Sequence, residues 1–228
     1  MANTDNKDKP DLLKQMSSVV SHEIRNPLAI ISNSLYFIKT KLGAGGAALD
    51  PKVAKHIGVI ESEVKHSNEI IEEMLAFTRK RELAPTPLSV DGLISELGNT
   101  YKVPENVSVK VAEDSSNPRV NADKDTVCYA LRCVLANAVQ AMPEGGTVTV
   151  ACSHDDKNAY ITFTDGGPGL PGGDGEKVFE PFFTTRPRGM GLGLPIARKF
   201  MEAHGGTVTA ANAPGGGAKI TLSLPLLK

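Results

Sequence analysis

Residues 189–198 read GMGLGLPIAR. Gly189, Gly191 and Gly193 alternate up to the start of an apolar segment with helical character. Glycines at the mouth of a helix let backbone N–H groups approach an anion, and the positive end of the helix dipole favours negative charge there. The stretch lacks the GxxxxGK[ST] spacing of one phosphate loop and does not match the dinucleotide-binding glycine fingerprint. Its meaning therefore rests on what surrounds it.

Three neighbouring stretches supply that context. DGGPGL, residues 165–170, follows a segment of alternating apolar and polar residues, so Asp165 stands at the end of a half-buried strand. A carboxylate there can accept from an exocyclic amine such as that of adenine. LANAVQAM, residues 135–142, sets Asn137 on a helix, and an amide oxygen suits Mg²⁺, a hard cation that keeps waters and phosphates in its shell. FEPFFTT, residues 179–185, lies between Asp165 and the glycine run. Each element alone is an ordinary turn or helix; the order of all four carries the signal.

Working outward, the patterns predict helices at 90–101, 123–142 and 191–204. Strands are expected at 107–112, 118–121, 146–153, 158–164, 206–212 and 217–224, with a Gly/Pro-rich loop over 165–190. This mixture reads as an α+β sandwich, one sheet with helices on one face.

The N-terminal third differs. Leu13, Met16, Val20, Ile24, Leu28, Ile31, Leu35, Ile38 and Leu42 recur at spacings of three and four. At ~1.5 Å per residue they predict a helix of roughly 45 Å. GAGGAALDP, residues 43–51, breaks the pattern, with Asp50 and Pro51 suited to an N-cap and first helical position. Val53, Ile57, Ile60, Val64, Ser67, Ile71, Met74 and Thr78 follow with coiled-coil spacing. Two such helices form an antiparallel hairpin whose apolar stripe is only half covered. A second copy would complete a four-helix bundle, so a homodimer is expected. The organisation expected is a tail at 1–10, a hairpin domain at 11–81, a linker at 82–89 and an α/β domain at 90–228.

Within the first helix stands SHEIRNPL, residues 21–28. On a helical wheel His22 falls opposite the apolar stripe, with Asn26 beside it one turn on. Glu23 can hydrogen-bond one imidazole nitrogen and leave the other as a nucleophile. Pro27 removes a backbone hydrogen bond in the helix interior, at a cost of about 3 kcal/mol.

The formal net charge of −1 and the scattered basic residues argue against nucleic-acid binding. Cys128, Cys133 and Cys152 form no CxxC pair, and the expectation is buried thiols in a reducing compartment. No apolar run approaches the ~20 residues that span a bilayer, and MANTDNKDKPD, residues 1–11, has no signal-peptide core. A soluble, cytoplasmic chain is expected.

SHEIRNPL resembles the H-box of sensor histidine kinases. LANAVQAM, DGGPGL, FEPFFTT and GMGLGLPIAR, in that order, resemble the N, G1, F and G2 boxes of their Bergerat-fold ATPase domain. The resemblance covers about residues 10–228 and points to the short-lid, nitrogen-regulation-like type. It implies that ATP phosphorylates His22, with Glu23 assisting, and that an aspartate on a separate response regulator receives the phosphoryl group. It implies that Asn26 assists dephosphorylation of that partner, that Asn137 holds Mg²⁺ and that Asp165 reads adenine. Gly167 and Gly169 would form the turn beside the nucleotide. Gly189, Gly191, Gly193 and Leu194 would line the triphosphate beneath a lid over 170–190 hinged on Phe182 and Phe183. The chain departs from the family pattern at Cys133 and Gly166, where Asn is common, and at Gln140, where a basic residue is common. Arg186 or Arg188 in the lid is expected to supply the missing charge. A phosphatase-dominant protein or a non-catalytic dimeric scaffold of the same fold is the alternative.

Overall fold

The computed structural model describes residues 9–44, 50–79, 81–112, 117–186 and 189–227; in the first segment, side chains are described from Ile24 to Leu42. The chain divides into two compact units, residues 1–80 and 81–228.

The first unit is a helical hairpin. Helix α1 (Lys9–Ala44) runs without interruption through Pro27. The ring nitrogen cannot donate to the carbonyl of Glu23, four residues back. Helix α2 (Pro51–Thr78) starts as the sequence predicts: the Asp50 carboxylate accepts from the Lys52 N–H at 2.7 Å, and Pro51 opens the helix. The two helices pack along a heptad seam. Leu35 on α1 is buried, as are Ile57, Val64, Ile71 and Thr78 on α2, one every seven residues. A second seven-residue series stays open: Ile24, Ile31 and Ile38 on α1, with Val53 and Ile60 on α2. Arg25–Glu72 and Lys39–Glu61 ion pairs, both 2.9 Å, tie the helices together at the surface. Such exposed pairs contribute little.

The second unit layers helices on one mixed sheet. Strands β2 (Val107–Val111), β4 (Gly146–His154), β5 (Asn158–Thr164), β7 (Ala218–Pro225) and β6 (Thr207–Asn212) lie in the order β2-β4-β5-β7-β6. Only β2 and β4 pair in parallel; the other neighbours are antiparallel. The alternation of β5 sends Ala159, Ile161 and Phe163 into the core. There they join Val148, Val150, Ile220, Leu222 and Leu224. Helices α3 (Val90–Thr100), α4 (Lys124–Gln140) and α5 (Gly193–Ala203) complete the layer, with Leu93, Leu131, Leu135, Ile196 and Met201 essentially excluded from solvent.

Residues 86–89, within the stretch expected as linker, form a further strand, β1 (Thr86–Ser89), antiparallel to β3 (Arg119–Ala122). Pro87 is tolerated because the ribbon has only two strands and both are edges. At the junction of β3 and α4, the buried Asp123 caps α4 through the Thr126 N–H (3.0 Å) and accepts from the Ala84 N–H (3.0 Å). Its own N–H donates to His204 Nε2 at 3.0 Å, while His204 Nδ1 lies 2.7 Å from the Phe200 carbonyl. A carbonyl only accepts, so Nδ1 carries the proton. One residue thereby joins α4, the chain entering the unit and the end of α5.

Candidate functional site

Asp165 follows β5 directly and is one of few buried carboxylates among the described residues. Its Oδ1 accepts from the backbone N–H groups of Gly167 (2.9 Å) and Ala218 (3.1 Å). Two amide donors on one oxygen fix the carboxylate in rotation. Oδ2 takes no protein donor among the described residues and is not sealed from solvent. The glycines around it are required by this packing. A Cβ at Gly217 would lie 1.9 Å from the Asp165 carbonyl oxygen, and one at Gly167 would lie 2.9 Å from Oδ1. Gly169, at φ 83°, turns the chain so that the Leu170 N–H reaches Asn212 Oδ1 at 2.7 Å.

The N-terminus of α5 is the second candidate element. Leu192 at its N-cap gives no side-chain hydrogen bond, so the first-turn amides of Gly193 and Leu194 have no capping side chain. Two of the three glycines of this run are small for different reasons. Gly191, at φ 68°, would place a Cβ 2.5 Å from the Phe183 carbonyl, so the fold itself demands it. A Cβ at Gly193 would meet only the Cys133 Cβ, at an ordinary 3.9 Å. No contact among the described residues explains that glycine, and exposed first-turn amides at a helix N-terminus are of the kind that attract anions. Across the site, half-buried Asn137 and exposed Gln140 lie on the last turn of α4. Both amide oxygens accept from the guanidinium of Arg186: Gln140 Oε1 from Nη1 and Asn137 Oδ1 from Nη2.

Over residues 122–228 the chain matches the model of the histidine kinase-, DNA gyrase B- and HSP90-like ATPase, and over residues 12–83 that of the histidine kinase A phospho-acceptor domain. The chain belongs to the sensor histidine kinase family. It is 30% identical over 223 residues to sensor histidine kinase ZraS of Escherichia coli O157:H7, covering 96% of this chain and 48% of ZraS. It is 31% identical over 218 residues to the signal transduction histidine-protein kinase AtoS of Escherichia coli strain K12, covering 94% and 35%. The chain thus spans about half or less of these curated relatives. Among solved structures, histidine kinase ThkA in complex with response regulator TrrA aligns with a TM-score of 0.65 and 27% identity, covering 98% of this chain and 64% of that one. Full-length ShkA in complex with AMPPNP shares the fold, with a TM-score of 0.76 over 94% of this chain and 46% of that one, at 23% identity.

The segment expected to form a lid shows one correction. Phe182 and Phe183, expected to anchor its hinge, do not both do so. Phe182 is 59% exposed, with backbone at φ 68°, and its N–H is bonded to the Gly191 carbonyl at 3.1 Å. That left-handed turn, uncommon outside glycine, sends the ring to solvent. Phe183 is half-buried with the Lys177 ammonium 5.1 Å from its ring centre. The buried anchors are Val178 and Phe179, the latter with the Arg198 guanidinium 3.8 Å from its ring centre and Glu176 pairing Arg198 at 2.8 Å. Gly189 closes a short turn by donating to the Arg186 carbonyl at 3.2 Å. Arg188 lies outside the described residues. Sequence reasoning missed Ala218, Gly217 and Asn212, which support the Asp165 loop from β7, the β6–β7 turn and β6; the glycine run at 215–217 signalled only a hairpin turn.

On the hairpin, His22 and Glu23 belong to α1 but their side chains lie outside those described. Asn26, one turn past His22, is exposed. Among the described residues no group of three His, Cys, Asp or Glu side chains could hold a metal, and the three cysteines form no disulfide and are half-buried rather than buried. No described helix is long and apolar enough to cross a membrane.

Proposed function

We propose that this chain is an ATP-dependent histidine kinase core that phosphorylates His22 and passes the phosphoryl group to an aspartate of a separate response regulator. The observation that carries the nucleotide half is Asp165: one oxygen is locked by two backbone amides and the other takes no protein donor among the described residues, in a unit whose helix α5 starts without a capping side chain. A fixed carboxylate acceptor suits the adenine amino group. Gly193 and Leu194 present amides to the phosphates. Asn137 is the oxygen donor suited to Mg²⁺, which would neutralise phosphate charge when bound.

In the transfer step an imidazole nitrogen of His22 forms a bond to the γ-phosphorus as the bond to the bridging oxygen breaks. ADP leaves with that electron pair, and the imidazole proton passes to Glu23. The hairpin acts as a homodimer in this reading, since Ile24, Ile31, Ile38, Val53 and Ile60 form a heptad face that the single hairpin leaves open. ThkA, crystallised with its response regulator TrrA, supports a receiver domain as partner. Exposed Asn26 is available to position a water for the reverse role, dephosphorylation of that partner.

The test is radiolabelled ATP with magnesium, on the unaltered chain and His22→Gln. Label lost in acid, stable in alkali and absent from the variant supports the reading. Label that persists in His22→Gln overturns it. Asn26→Ala should keep autophosphorylation and lose dephosphorylation of a phosphorylated regulator.

A further inference from the structure

The Arg186 contacts carry more than a missing charge. The guanidinium bridges Gln140 Oε1, at the position where the family commonly has a basic side chain, and Asn137 Oδ1, the oxygen assigned above to magnesium. Its backbone is held for this: Thr184 Oγ1 accepts from the Arg186 N–H at 3.1 Å, and Gly189 donates to the Arg186 carbonyl. A cation on Asn137 Oδ1 and a divalent metal on the same atom repel each other at contact distance. Both cannot stay.

We infer that Arg186 is a surrogate for the metal, held on Asn137 by Gln140 while the site lacks magnesium and yielding that oxygen when magnesium arrives with nucleotide. The inference rests on the ATP reading above. Gln140 is then a positioning residue: uncharged itself, it orients a charge supplied from the lid. The α4 position and the lid together do what one basic side chain on α4 would do. An Arg side chain is long enough to move from an amide oxygen to a phosphate without moving the loop, and its fork suits either acceptor.

This arrangement has a signature in binding rather than in turnover. When metal is withheld, Arg186 is left to neutralise phosphate charge without it, and its loss should matter most. When magnesium is present, the metal takes over part of the neutralisation. Calorimetric titration of the full chain with AMPPNP, once with magnesium and once with excess EDTA, measures both. Arg186→Ala should lose about tenfold in affinity in EDTA, the worth of a charge-assisted contact, and less with magnesium. The magnesium dependence of affinity therefore rises. Gln140→Lys added to Arg186→Ala should restore the original dependence by placing a cation on α4. Gln140→Ala alone should give part of the Arg186→Ala change, and adding it to Arg186→Ala should give no more. An unchanged magnesium-to-EDTA ratio in Arg186→Ala, or full additivity of the two alanine variants, would overturn the inference and leave the ATP reading intact. No AMPPNP binding by the unaltered chain in either buffer would overturn both.

Discussion

The two units close their cores in different ways. The α/β unit buries both ends of its hydrophobic pattern within one chain: Leu222, Ile220, Phe163 and Ile196 are each at or below 1% exposure. The hairpin splits its pattern. One heptad series, with Ile57, Val64 and Ile71 on α2, is sealed by the partner helix, while Ile24, Ile31 and Ile38 remain at least 42% exposed. A sheet covered by helices is a finished object, whereas a two-helix hairpin has one face too many. In the reading proposed above the difference matches two jobs: the α/β unit would hold a small ligand by itself, and the hairpin would pair with a second copy.

The harshest way to break this contrast is a charge on the open hairpin face. Ile31→Asp should abolish the dimer, because two-fold symmetry buries two uncompensated carboxylates in one bundle, at a cost on the order of 5 kcal/mol or more. Light scattering should then report a monomer, while AMPPNP affinity of the α/β unit stays unchanged. A dimer that survives the substitution would place the contact elsewhere. Leu222→Ala in the sheet should do the opposite. It should lower the stability of the α/β unit by about 3 kcal/mol through the cavity it leaves and spare the dimer. Chemical denaturation followed by near-ultraviolet circular dichroism measures it.

How much of this was legible in the sequence follows the same division. Strand β5 was read to the residue, 158–164, because strict alternation against a one-sided core leaves no other register. The heptads of α1 and α2 were equally plain, as was the Asp50–Pro51 start. Strand β1 was hidden because Pro85 before it and Pro87 within it read as linker, and what pairs it is β3, thirty or more positions away. Likewise the four ordered stretches, Asp165 among them, announced a site, but the Ala218 amide that fixes the carboxylate comes from 53 positions further on. No local pattern encodes such a partner. Phe182 failed for a related reason: apolar character argues for burial, and only the backbone turn at Gly191 reverses it.

A milder substitution sharpens the contrast inside the site. Asp165→Asn keeps an acceptor for the Gly167 and Ala218 amides and replaces the open oxygen with an NH₂ donor facing the adenine amine. Two donors then oppose each other. AMPPNP affinity should fall between about tenfold and a hundredfold, with the melting temperature little changed. A large loss of stability together with affinity would make Asp165 a structural residue first.

The smallest effect tests how the chain enters the α/β unit. Burial pushes the Asp123 carboxyl up, but the Ala84 and Thr126 amides, the Thr126 hydroxyl and the Arg81 charge outweigh it, so the group ends below its ordinary value of 3.8. The sign follows from linkage: a carboxyl held low contributes stability that is fully present above its unfolded value and is lost as pH falls through the folded one. The α/β unit should therefore lose this contribution below about pH 4, and Asp123→Ala should remove it at neutral pH. The loss expected is about 1–2 kcal/mol, that of an N-cap. Because Asp123 also accepts from Ala84, the variant should speed amide exchange at Ala84 as well as at Thr126. Faster exchange at Thr126 alone would mean that β1, through its pairing with β3, holds the entering chain without help. Faster exchange at both would make Asp123 the residue through which the chain entering the unit is fastened to the base of α4.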